Sequence, residues 1–110
     1  MASISLTDQA REIETRINGI LSSFDVDSLP SRERELVALI KRQVTDARLD
    51  VRDYQYAETR DEQMSLAQEA KKRYEQIRRY MLKASEYNLF GAIDIAQLTA
   101  HIDQLISQLD

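Results

Sequence analysis

The chain has no cysteine and no tryptophan, and it holds one histidine, one proline and two glycines in 110 residues. Without cysteine there is no disulfide framework, thiolate zinc site, iron–sulfur cluster or thiol nucleophile. His101 stands alone, so a catalytic triad or a two-histidine metal site lacks its partners. The paired Glu-x-x-His motifs of a bundle-core di-iron centre are absent, and so are Gly-rich phosphate loops, nucleophile elbows and internal repeats. Short strands need turn residues every 8 to 12 positions, so scarce Gly and Pro remove the all-β classes. Long apolar runs are missing too. Stretches such as Ile17 to Phe24 and Ile95 to Ile102 are far too short to span a bilayer, and no apolar segment follows Met1. A cytoplasmic protein without membrane contact and without a cofactor is expected.

What is present is 43% apolar and 31% charged residues, with a net charge of −4. That is the composition of one solvated helical domain. Four helices are expected, at about residues 5–24, 31–58, 61–88 and 94–109. In the first, Leu6, Ala10, Ile13, Ile17, Ile20 and Phe24 recur at steps of three and four, with Ser5 or Thr7 beside Asp8 to cap it. It should stop in Asp25 to Pro30, since Pro30 has no backbone N–H. The second carries Val37, Ile40, Val44, Ala47, Val51 and Tyr54, widened by Leu36. The third carries Ala67, Ala70, Tyr74, Ile77, Met81 and Ala84, a stripe out of phase with the one before it. Thr59 and Glu62 match a capping box at the break, which predicts a tight helical hairpin over a single bent helix. Gly91 is read as the left-handed residue that ends the third helix. Asp94 with Gln97 is read as an acidic capping box, and Ile93 with Leu98 as a hydrophobic staple, opening a fourth helix along Ile95, Leu98, Ile102, Leu105 and Leu109. The fold class is therefore all-α, a four-helix bundle in which short first and last helices flank a longer central hairpin.

The unequal lengths carry the functional expectation. Rods of roughly 30 and 24 Å flank two of roughly 40 Å, so the hairpin should overhang and leave Val51, Tyr54, Ala57, Met64, Ala67 and Ala70 short of neighbours near its tip. Leu49 and Tyr56, seven apart, add a second apolar edge on the second helix. A non-enzymatic adaptor, regulatory subunit or chaperone-like module is expected, binding another protein or a second copy of itself through Leu49, Val51, Tyr54, Tyr56, Ala57, Met64 and Ala67. Asp50, Asp53, Lys71 and Lys72 would select partner and register at the rim.

The alternative is nucleic-acid binding. Between residues 69 and 86 six cations face three carboxylates, and Lys71, Lys72, Arg78, Arg79 and Lys83 share one arc, with Tyr80 and Tyr87 further round. The acidic whole opposes that reading, and pairs such as Glu69 with Arg73 and Glu75 with Arg79 would neutralise the arc in part. Asp46, Asp50 and Asp53 could line up for a hard cation, but cross-hairpin ion pairs from Asp50 to Lys71 and Lys72 account for them without a ligand. His101 is expected as a surface or boundary residue.

Overall fold

The computed structural model describes residues 5–109. Four α-helices form, α1 (Leu6–Leu21), α2 (Ser31–Tyr56), α3 (Arg60–Ser85) and α4 (Ala92–Ser107), with a short 3-10 turn at Val26–Ser28. Ser5 caps α1 by accepting the Asp8 N–H at 3.1 Å. The Ser22 and Ser23 hydroxyls donate to the carbonyls of Gly19 and Ile20 and close α1 one turn earlier than the stripe implies. Its buried line consequently runs Ala10, Ile13, Ile17 and Leu21, while Phe24 packs on the core from the connection.

The break at residue 60 is a real turn. Thr59 Oγ1 accepts the Glu62 N–H at 3.1 Å, and three residues separate α2 from α3. At the far end of α3 three expectations fail. Gly91 is extended (φ −77°) and caps α4, whereas Asn88 holds the left-handed conformation at φ 62° and lets the Leu89 N–H reach Ala84 O at 3.1 Å. Asparagine tolerates that region because its short polar side chain bonds locally. With α4 starting at Ala92, Asp94 lies inside its first turn instead of capping it, and Ile93 is 74% exposed, so it makes no staple with Leu98.

The helices pack in the cyclic order α1, α2, α3, α4, with α2 and α3 in the closest contact. Each runs against its neighbours, which buries the predicted stripes of all four in one core. Ala47 and Ala70 are wholly buried, and such small side chains let the backbones of α2 and α3 approach. The long axis of the molecule, 46 Å, is set by this pair, each ~39 Å long at 1.5 Å per residue.

The short helices do not leave the turn bare. The N–H and hydroxyl of Thr7 both donate to Gln55 Oε1, the N–H at 2.9 Å, and Glu14 Oε1 meets Arg48 Nε at 2.9 Å. Seven residues on α1 thus match seven on α2, which brings Leu21 level with Lys41 and leaves the first ten residues of α2, 31–40, beyond the end of α1. Gln9 donates to Gln108 at 3.0 Å, so the end of α4 also reaches the turn. The overhang lies at the opposite end of the hairpin from the one expected, and Phe24, Val26 and Leu29 of the nine-residue connection pack over it.

A candidate docking surface at the hairpin turn

Seven residues were expected to face a partner, and the bundle separates them. Val51 is wholly buried and Ala67 is 5% exposed, because α1 and α4 cover the turn; Ala70 is wholly buried for the same reason. Their apolar area is spent inside the chain. Tyr54, Ala57, Met64 and Ala67 nonetheless line one open depression of about 400 Å³, and Leu109, just past the end of α4, completes it. In the sequence Leu109 is the last core residue of its stripe, and nothing local marks it as adjoining the turn. Met64 is 54% exposed at the rim, where Glu58 and Arg60 supply charges of both signs. Tyr56, 79% exposed, lines a second depression of about 430 Å³ on the other side of the turn with Asp8, Arg11 and Arg52. Leu49 is half-buried and lines neither.

The carboxylate row of α2 meets a cation beyond the expected pair. Arg73 reaches across the hairpin, its Nε 2.7 Å from Asp50 Oδ2 and its Nη1 3.5 Å from Asp46 Oδ2, and Nη1 donates to Gln43 Oε1 at 3.3 Å. The three-residue turn sets this register, and Arg73 is thereby drawn away from Glu69 on its own helix. Asp53 pairs with Arg52 at 3.3 Å. Among the described residues no group of three or more His, Cys, Asp or Glu is placed to hold a metal ion. No helix there is long and apolar enough to cross a membrane.

Asp50 carries an opposing pair of effects. Burial raises its carboxyl pKa above the usual 3.8, the Arg73 hydrogen bond and charge pull it back, and Glu69 and Asp46 add to the rise. The folded chain therefore holds this proton more tightly than the unfolded chain does. Asp50 works against folding above its raised pKa, and that cost disappears as the pH falls through this value to 3.8. A carboxyl titration followed by NMR should place the Asp50 midpoint above 3.8, and Asp50→Asn should remove this part of the pH dependence of stability. A midpoint at or below 3.8 would mean that Arg73 outweighs burial.

The basic arc of α3 is largely engaged within the chain. Arg78 pairs with Asp103 of α4, Lys83 Nζ lies 3.2 Å from Glu86 Oε2, and Lys71 is half-buried. Lys72 and Arg79 are exposed and make no ion pair among the described residues. Tyr80 and Tyr87 pack against the core, which takes their rings away from any stacked base. His101 is half-buried on α4.

Among the described residues, two polar atoms are buried without partners. Glu14, salt-bridged to Arg48 through Oε1, buries its Oε2 without a hydrogen-bond partner, and the Tyr74 hydroxyl is buried without one too. Burial first, then the charges of Glu14 and Asp50, push the Tyr74 phenol far above its ordinary range, against a smaller opposing pull from Arg48. Comparison with protein-family models, with curated proteins and with solved structures finds no match to this chain.

Proposed function

We propose that the protein is a non-enzymatic interaction module that receives an apolar side chain or short apolar segment of a partner protein at the α2–α3 turn. The observation that supports this is the convergence of Tyr54, Ala57, Met64, Ala67 and Leu109 on one open depression, with Met64 left half in water. Apolar side chains interleaved with Glu58, Thr59, Arg60 and Gln63 suit docking: the apolar groups supply affinity and the polar ones supply orientation. Met adapts its three rotatable bonds to an incoming surface, which favours it at such a place. Tyr56 on the other flank widens the apolar surface. Together Tyr56 and Met64 offer on the order of 300 Å², below the ~800 Å² per partner of a stable interface, so the partner fits as a transient or segmental one.

Peptides selected by display against the folded chain provide the test. Their affinity should fall about tenfold or more in Met64→Glu, since a charge that the docked apolar group covers costs upwards of ~1.4 kcal/mol in the complex, while the far-ultraviolet helical signal of the variant stays unchanged. Peptides that bind Met64→Glu and Tyr56→Glu as well as the original chain would sink the proposal.

A further inference from the structure

The turn that bears the depression is acidic. Ala57 to Gln63 carry Glu58, Asp61 and Glu62 against Arg60 alone. All four are exposed, and among the described residues none of them makes an ion pair. The neighbouring charges cancel in pairs, Asp53 lying 3.3 Å from Arg52 and Asp8 3.9 Å from Arg11. Farther along α3, Glu69 comes before Lys71 and Lys72. The turn therefore keeps an unanswered negative charge.

The helix ends add to it. Both α2 and α4 finish beside the depression, as Tyr54 and Ala57 on one side and Leu109 on the other show, and neither helix has a basic residue in its last turn. A helix C-terminus is equivalent to roughly half a negative charge, so two such poles stand there without a cation of their own helix to meet them. The positive pole of α3, also about half a charge, is outweighed by Asp61 and Glu62 in its first turn.

Resting on the docking site proposed above, we infer that the segment it receives is cationic, with a lysine or arginine within about two residues, or ~7 Å of extended chain, of the apolar side chain that enters the depression. Glu58 lines the depression itself. A cation on a neighbouring residue of the segment therefore reaches its carboxylate while the apolar group stays seated against Tyr54, Met64 and Leu109. The aliphatic stem of that residue covers further apolar surface and leaves its charged head in water. Arg60, the cation in the lining, opposes the pairing and so sets its direction: the basic residue belongs on the Glu58 side of the anchor.

Peptides selected from a random displayed library on the folded full chain should carry lysine or arginine next to an apolar residue well above the library's own frequency. Synthetic copies of them should lose about fivefold in affinity in Glu58→Lys and about as much in Asp61→Lys, gain a fewfold in Arg60→Glu, and weaken as salt is added. The exposed Glu35, ~30 Å away along α2, supplies the control: Glu35→Lys makes the same change in net charge and should leave affinity unchanged, which separates the turn from the general attraction of an acidic chain for cations. Met64→Gln removes an apolar contact without adding a charge and should weaken the same peptides at every salt concentration. Peptides that need Met64 but show no excess of cations, or that bind Glu58→Lys and Asp61→Lys as well as the original chain, overturn the inference and leave the docking site standing. Peptides indifferent to Met64→Gln overturn both.

Discussion

Replacing Tyr74 with alanine is expected to cost about 3–5 kcal/mol of stability, while replacing it with phenylalanine is expected to stabilise the chain by about 1 kcal/mol. The two changes separate the ring from its hydroxyl. The ring is the largest wholly buried side chain in the described core, so truncation removes its burial and leaves a cavity between α2 and α3. Against the ~5–15 kcal/mol that holds a domain of this size together, that loss is large. The hydroxyl is different. It is buried without a hydrogen-bond partner, in the field of the Glu14 and Asp50 carboxylates, and so surrenders its hydration without an exchange. Removing it takes away that cost and keeps the packing. Urea unfolding of the three chains measures both effects, and an absorbance titration of the tyrosines should show one phenol that ionises only on unfolding. If phenylalanine destabilises the fold by 1 kcal/mol or more, the hydroxyl donates to Glu14 Oε2 in solution and the polar pair holds the helices together.

Leu109→Ala should cost about 2–3 kcal/mol, toward the lower part of the range for truncating a buried leucine because a site near a helix end can collapse partly around the gap. This residue follows the end of α4, is 1% exposed, and donates its N–H to Ile106 O at 3.1 Å. Its side chain covers the floor of the turn depression. Hydrogen exchange should therefore quicken at Val51 and Tyr54 as well as along α4 in this variant. A change below about 0.5 kcal/mol, the size expected of an exposed position, would show that α4 does not reach the turn.

The turn depression also shows where sequence reasoning reaches and where it stops. Tyr54, Ala57, Met64 and Ala67 can be nominated from helical spacing and the phase break at residue 60, and they do meet. Leu109 cannot, because its place beside them depends on how far α4 extends along α3. Val51 could not be discounted either, since burial by a distant helix has no local signature. Arg73 is similar: any cation near its position on α3 could answer the α2 carboxylates, and only the pairing of the two helices brings it to Asp46 and Asp50.

Four helices, their inward stripes and the hairpin at Thr59 follow from the sequence itself, since each depends on residues within a turn or two of one another. The axial position of α1 and α4 does not. An amphipathic helix slid along its neighbour by a heptad still turns the same face inward, so its stripe is silent about that offset. The offset is settled by side-chain fit across the bundle and by a nine-residue connection long enough to let α1 sit beside the turn, and tertiary packing alone therefore decided which end of the long hairpin was covered.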